Sequence, residues 1–333
     1  MKRILSEKER RVIVAAQLKA NASISKLQEE TGYPAHVVRH SLKRLVDGGI
    51  LSPYTLINIA PLGFDKVAVF FSLSTTDVSV RNKSIDYVKS LRCVVSVSEL
   101  VGDCEYFMSI ACRSSSELAV ILGQISEAVG CFRQHAICTR SALILYQRTY
   151  LAKLATSREY IAYHMGGQRL ELGSEYLSVL AAVDACGTCA PATIARKTGQ
   201  PISSVAYRLT RLEQERIIAG HLFGVRAGAF GVSMHDIMIS TQSSGPRLGE
   251  RMHSFCLNEP NVVGLACCLG SWQFELRVEV EDSRELMALC NRIKATFGDE
   301  VMSLRTHTMV RELKYMKLPF DAPQGHPQSR KVA

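Results

Sequence analysis

The sequence lacks any apolar run of the roughly 18–20 residues that a membrane-spanning helix needs. Its N-terminus, MKRILSEKERRVIV, carries basic residues but no uninterrupted apolar stretch of the kind found in a signal peptide. The eleven cysteines are an odd number and do not have the spacing of a disulfide framework. These absences argue against a secreted or membrane protein and predict a soluble cytoplasmic protein with reduced thiols.

Common catalytic motifs are also missing. The sequence has no glycine-rich phosphate loop, no Ser-His-Asp set and no paired-carboxylate motif. One CxxC pair, Cys186 and Cys189, has no second CxxC or close histidine pair, which favours ordinary cysteines over a zinc or redox site. His36 and His40 lie one helical turn apart without a third ligand nearby, which favours DNA contact or simple exposure. We therefore predict no catalytic residue, no metal and no cofactor.

The sequence does have a basic balance and an internal repeat. Its 333 residues carry a net charge of +9, which favours a polyanionic partner. Residues 32–51, GYPAHVVRHSLKRLVDGGIL, recur 167 positions later at 199–218 as GQPISSVAYRLTRLEQERII. A repeat of this length predicts two copies of a domain pair within one chain.

Each half begins with a pattern typical of three short helices. In the first half, Ser6 and Glu9 form a capping-box signature, Ser23 starts the second helix and Gly32 ends it. Two helices joined by a glycine-containing turn predict a helix-turn-helix module. Residues 1–52 contain ten lysines and arginines against five acidic residues, so the first module is the more basic one.

The remainder of each half predicts the strand and helix order βαββαβ of a ferredoxin-like domain. The predicted fold class is therefore α+β, with two repeats of a helix-turn-helix module followed by a ferredoxin-like domain. The predicted boundaries are 1–55 and 173–224 for the helix-turn-helix domains, 60–151 and 229–318 for the ferredoxin-like domains, 152–172 for a linker, and 319–333 for a disordered tail.

An ordered set of residues runs from the third helix to the first hairpin: Gly32, Arg44, Leu45, Gly49, Ile50, Leu51, Leu62, Gly63 and the segment VGDCEYFMSI. This set resembles the Lrp/AsnC, or feast/famine, family of transcriptional regulators. Members of that family usually carry one such unit per chain, whereas this chain carries two.

The resemblance implies a nucleoid-associated regulator that binds double-stranded DNA, assembles as a homo-oligomer and responds to a small amino-acid-like effector. The residues expected to contact DNA are His36, Arg39, His40, Lys43, Arg44, Ser203, Ser204, Tyr207, Arg208 and Arg211. The effector is expected at Gly102, Asp103 and Tyr106 in the first hairpin. In the second hairpin, Ser271 replaces Asp103 and Phe274 replaces Tyr106, which weakens the case for a second effector site.

Siroheme decarboxylases form the alternative, because they share this domain pair and some are fused in tandem. They carry histidines around the second and third strands, where an imidazole could deliver a proton. Residues 92–113 and 262–280 contain no histidine. We therefore expect a DNA-binding regulator rather than an enzyme.

Overall fold

The computed structural model describes residues 3–154, 156–165, 169–187 and 189–320, and it confirms the predicted α+β fold class. The two halves share one order of elements. The first half comprises α1 (Glu7–Ala16), α2 (Ile24–Thr31), α3 (Ala35–Asp47), β1 (Leu51–Ile57), β2 (Asp65–Leu73), α4 (Val78–Ser90), β3 (Val94–Val101), β4 (Tyr106–Cys112), α5 (Ser115–Val129) and β5 (Phe132–Tyr146). A short strand, β6 (Tyr160–Tyr163), lies between the halves. The second half comprises α6 (Ser174–Cys186), α7 (Pro191–Thr198), α8 (Ile202–Gln214), β7 (Ile218–Val225), β8 (Ser233–Thr241), α9 (Pro246–Asn258), β9 (Val262–Gly270), β10 (Phe274–Val280), α10 (Ser283–Phe297) and β11 (Val301–Tyr315).

Local sequence signals set the helix ends of the first module. The Ser6 hydroxyl accepts a hydrogen bond from the Glu9 backbone, and the Glu9 carboxylate accepts one from the Ser6 backbone, which is the predicted capping box. Ser23 caps α2 through a hydrogen bond from the backbone of Lys26. Gly32 ends α2 at φ 71°, a left-handed conformation that glycine adopts without strain.

The two helix-turn-helix modules are tied to the rest of the chain. The strands that follow the third helix of each module, β1 and β7, which we call the wing strands, pair antiparallel with each other. The apolar core of α1–α3 includes Phe230 and Val232 from the second half, and the core of α6–α8 includes Ile57, Phe64 and Ala111 from the first. Each module therefore buries apolar surface against the opposite half, which holds both modules on the ferredoxin-like domains.

The two ferredoxin-like sheets merge into one closed sheet. Strand β5 of the first half pairs with β9 of the second, and β11 pairs with β3. Because β2 also pairs with β5, eight strands form a ring in the order β2, β4, β3, β11, β8, β10, β9, β5 and back to β2. The first part of β5 pairs with β2 and its last part pairs with β6. Strand β6 therefore lies beside β5 just beyond the end of β2. The closed sheet encloses an interior that side chains from both halves share.

Strand alternation gives the closed sheet two different faces. On the outer face, Phe71 and Met108 pack under α4 and α5, and Ile239 and Leu276 pack under α9 and α10. The middle of the interior is apolar too, around Phe70 and its neighbours on the facing strands. The ends of the interior carry the polar groups described below.

No single helix among the described residues is long and apolar enough to cross a membrane. Within the part of the chain that the structure describes, one pair of helices, α6 and α7, reaches that length and composition when taken together, and the two are bent by 114° relative to each other.

Candidate functional site

Five charged side chains line one side of the interior, and we call them the charged wall: Lys66, Arg140, Asp236, Glu275 and Arg277. Arg140 on β5 donates to the Glu275 carboxylate on β10, and both side chains are nearly buried. Arg277 donates to Asp236 on β8 through Nε and Nη2, at 3.0 and 3.2 Å. Lys66 lies opposite Arg140 in the β2–β5 ladder. The wall thus carries three cations and two carboxylates.

Lys66 is the cation of the charged wall that has no carboxylate partner in the described part of the chain. Its Nζ lies 5.4 Å from the centroid of the Tyr163 ring, within cation–π range. Burial lowers the pKa of Lys66 to about 8, and the neighbouring Arg140 guanidinium acts in the same direction. A half-buried ammonium with no protein carboxylate beside it favours the binding of an anion there.

Tyr163 and His164 come from segment 152–172, which the sequence predicts as a linker. His164 is 3% exposed and stands at φ 55°, an uncommon conformation for a residue other than glycine. Its Nε2 accepts a hydrogen bond of 3.2 Å from the backbone N–H of Lys66. Burial, together with the charges of Lys66 and Arg140, lowers the pKa of His164 to about 3. The imidazole is therefore neutral, with its proton on Nδ1, and it holds the backbone of Lys66 in place.

Three tyrosines cluster beside the charged wall: Tyr163 from β6, Tyr54 from the wing strand β1, and Tyr315 from the end of β11. Burial raises the pKa of all three, so they are neutral hydroxyl donors at physiological pH. Yet Tyr315 is 53% exposed and the Arg277 side chain 37%. These side chains therefore reach the surface, and we call the region between the charged wall and the three tyrosines the cleft.

Arg158, also in the predicted linker segment, anchors that segment. Its guanidinium donates to the backbone carbonyls of Gln147, Cys256 and Glu259 at 2.8, 2.7 and 2.7 Å. These bonds join the chain before β6 to the end of β5 in the first half and to the end of α9 in the second. They position the short strand that supplies Tyr163 to the cleft.

A second buried ion pair ties the first helix-turn-helix module to the closed sheet. Arg148 donates to both oxygens of Glu279 at 2.8 and 2.9 Å, and the Tyr150 hydroxyl donates to the same carboxylate at 2.6 Å. Arg148 Nη1 also donates to Gln17, which caps the end of α1, at 3.0 Å. Glu279 is fully buried. This network fixes the module as a structural part of the molecule.

The residues predicted to contact DNA belong neither to the charged wall nor to the three tyrosines of the cleft. On α3, His36, Arg39, His40, Lys43 and Arg44 are all exposed.

On α8 the predicted DNA contacts divide into two groups. Ser203, Tyr207 and Arg211 are exposed, whereas Ser204 is half-buried. Arg208 is also half-buried, because its guanidinium packs over the ring of Tyr176 at 5.7 Å. An arginine held on a ring of its own module is poorly placed to reach a base edge.

The predicted effector residues do not converge on one space. Gly102 lies against His307, where an added Cβ would come within 2.5 Å of the imidazole. Asp103 is exposed at the tip of the turn. Tyr106 is buried in the core under α4 and α5, and its hydroxyl accepts from Arg81 at 3.2 Å. The effector site itself stays a prediction.

The cysteine pair of the second module lies beside its apolar core. Cys186 and Cys189 are half-buried, and the thiol of Cys189 lies 3.4 Å from the Thr55 hydroxyl. Burial raises the pKa of Cys189. Over the described ranges, no group of three or more histidine, cysteine, aspartate or glutamate side chains is arranged to hold a metal ion.

The comparisons with known proteins bear on this geometry. No model of a protein family matches the sequence, and no curated protein is similar to it. The crystal structure of the siroheme decarboxylase NirDL is similar over 95% of this chain and 94% of its own, with a TM-score of 0.59 and 13% identity. The same enzyme in complex with an iron-uroporphyrin III analogue gives a TM-score of 0.57 at 13% identity and the same coverage. An AsnC family regulator from Agrobacterium tumefaciens is similar over 44% of this chain and 94% of its own, with 20% identity and a TM-score of only 0.37, which supports no inference.

These findings correct two predictions made from the sequence. The prediction of a DNA-binding regulator is contradicted, because the similarity that spans nearly the whole chain is to an enzyme. The prediction that the chain is not an enzyme is contradicted by the same finding. At 13% identity the similarity itself shows a shared fold.

The sequence argument against an enzyme depended on where histidines were expected. The structure supplies them from other elements: His164 follows β6, His235 lies on β8 and His307 on β11. Folding brings His164 to the cleft from a segment that the sequence assigned to a linker. The absence of histidine from residues 92–113 and 262–280 therefore says nothing about the groups around the cleft.

Proposed function

We propose that this chain binds siroheme, or a similar iron tetrapyrrole with several carboxylate side chains, in the cleft and removes carboxylate from it as CO2. The observation that carries the proposal is the ammonium of Lys66, which lies beside Arg140 and has no carboxylate partner among the described residues. The full-length similarity to a siroheme decarboxylase supports the same class of ligand.

The donor set of the cleft suits such a ligand. Guanidinium and ammonium groups form the strongest hydrogen bonds to carboxylates, and no carboxylate of the described residues competes for Lys66. The hydroxyls of Tyr54, Tyr163 and Tyr315 add neutral donors at the rim. Their rings offer flat apolar surface, which an aromatic macrocycle needs on its faces.

A decarboxylation needs a proton in a defined place. The bond between the carboxylate carbon and its neighbour breaks, the carboxylate leaves as CO2, and the electron pair stays on the substrate, where conjugation spreads it. A proton then completes the new C–H bond. A useful donor has a pKa near the working pH, and Lys66, with a pKa of about 8, meets that condition. His164, with a pKa of about 3, remains neutral and positions Lys66 through its backbone.

The direct test is anaerobic incubation of the purified chain with siroheme, followed by mass spectrometry of the tetrapyrrole. We expect products that are lighter by whole CO2 units, with release of a matching amount of CO2. We also expect quenching of Trp272, the single tryptophan of the chain, which lies buried in the interior of the closed sheet. Unchanged siroheme together with unquenched tryptophan fluorescence would refute the proposal.

Binding should weaken as the pH rises through the pKa of Lys66. The pKa of about 8 means that Lys66 is charged at pH 7 and mostly neutral at pH 9, so the affinity for a carboxylate ligand should fall about tenfold over that interval. The other groups facing Lys66 do not interfere, because His164 stays neutral and Tyr163 has a raised pKa. Titration of iron-uroporphyrin III, followed by Trp272 fluorescence, measures the change.

The matched control for this pH profile is Lys66→Arg, whose guanidinium stays charged throughout the interval. Its affinity should be nearly flat between pH 7 and pH 9. A wild-type profile that is equally flat would contradict the assigned role of Lys66.

A further inference from the structure

The closed sheet has an approximate two-fold relation between its halves. Strands β2 and β4 correspond to β8 and β10 with an offset of 168 residues, and the ladders agree: Lys66 pairs with Ala111 and Arg140, while Met234 pairs with Glu279 and Met309. Every residue of the charged wall therefore has a defined counterpart in the other half. The corresponding pairs are Lys66 and Met234, Arg140 and Met309, Asp236 and Ala68, Glu275 and Phe107, and Arg277 and Ser109.

All five counterparts are uncharged. Met309 and Phe107 pack with the apolar centre of the interior. Phe107 also receives the Arg140 guanidinium at 4.9 Å from its ring centroid, so the uncharged side packs directly against the charged wall. The counterpart of Lys66 is Met234, which brings neither a cation nor a proton donor to the related position.

The strand that completes the cleft is also confined to one half. Strand β6 pairs with β5 and supplies Tyr163 and, just after it, His164. In the second half, β11 takes the place of β5 and pairs with β3 and β8 along its length. The described residues after β11 contain no strand equivalent to β6. Among the described residues, the backbone support that His164 gives to Lys66 therefore has no equivalent beside Met234.

We infer that each chain holds one tetrapyrrole site, at the charged wall, and that the related position in the other half, which lacks the charged groups of the wall, holds none. This inference rests on the proposed function. It predicts one macrocycle per chain, although the fold places two related ferredoxin-like domains in every chain. It also predicts that binding depends on Lys66 and does not depend on Met234.

The test is a titration of the full-length chain with iron-uroporphyrin III at a protein concentration well above the dissociation constant. Quenching of Trp272 and the absorbance of the bound macrocycle should both reach their endpoint at one equivalent per chain. An endpoint at two equivalents would overturn the single-site inference and leave the proposed function standing. An absence of binding would overturn the proposed function and the inference together.

Paired variants give the second arm. Lys66→Met, which copies the counterpart residue, should weaken binding by about 10- to 100-fold, as expected for the loss of a charged hydrogen bond. Met234→Glu places a repelling charge at the related position and should leave both the affinity and the one-to-one endpoint nearly unchanged. A strong loss of affinity in Met234→Glu, with the wild-type circular dichroism spectrum, would overturn the inference. Should Lys66→Met fail to fold, Arg277→Ser, which copies Ser109, takes its place with the same expected weakening.

Discussion

Replacement of Lys66 by arginine is expected to separate binding from turnover. The guanidinium keeps the positive charge that a carboxylate ligand needs, so the dissociation constant should stay within a few-fold of wild type. Its pKa is too high for it to release a proton near neutral pH, so kcat should fall about 100- to 10,000-fold, the usual range for the loss of a general acid. Binding is measured by quenching of Trp272, and turnover by the release of CO2.

The matched control for this variant is Lys26→Arg, an exposed lysine on α2 whose replacement should change neither quantity. A Lys66→Arg protein that decarboxylates siroheme at the wild-type rate would show that Lys66 binds the substrate without supplying the proton. A protein that loses binding and turnover together, while still folded, would show that the cleft requires the smaller ammonium group.

Removal of the Glu279 side chain should destabilise the protein strongly. Glu279→Ala leaves Arg148 charged in a mostly buried position without its carboxylate, and it removes the acceptor of the Tyr150 hydroxyl. Breaking one partner of a buried ion pair lowers the free energy of unfolding by about 3–5 kcal/mol. Urea unfolding followed by Trp272 fluorescence and by far-ultraviolet circular dichroism measures the effect.

The neighbouring Glu281 is exposed and provides the control. Glu281→Ala should change the free energy of unfolding by less than about 0.5 kcal/mol, as is usual for surface substitutions. Since Arg148 also binds Gln17 at the end of α1, Glu279→Ala should in addition loosen the first helix-turn-helix module. Equal stability of the two variants would show that the Arg148–Glu279 pair contributes nothing net.

Much of the fold could be predicted from local sequence patterns. The Ser6–Glu9 capping box and the left-handed Gly32 depend on hydrogen bonds and backbone conformations within a few residues, so the sequence alone indicates them. The order βαββαβ follows from strand and helix periodicity in the same local way. Fold class was therefore predicted correctly, although the function assigned to it was wrong.

The candidate site escaped sequence analysis because its residues look like ordinary surface residues. In β10, Glu275, Arg277 and Glu279 alternate with apolar residues in the segment FELRVEV, a pattern typical of a strand with one face in water. The structure turns that polar face into the interior of the closed sheet. The available clue was that Glu275, Arg277 and Glu279, three successive residues on one face of this short strand, are all charged.

The sequence by itself determined which segments form helices and strands, where the turns fall, and that the whole pattern occurs twice. Tertiary structure alone decided that two ferredoxin-like sheets close into one ring, that segment 152–172 adds a strand to it, and that Lys66 meets His164, which lies 98 residues away in the chain. The physical reason is that the alternation of polar and apolar residues along a strand shows only that one face is polar and the other apolar. Whether a polar face meets water, a ligand or a second sheet depends on strands that are distant in sequence, and here those strands make it the wall of a cleft.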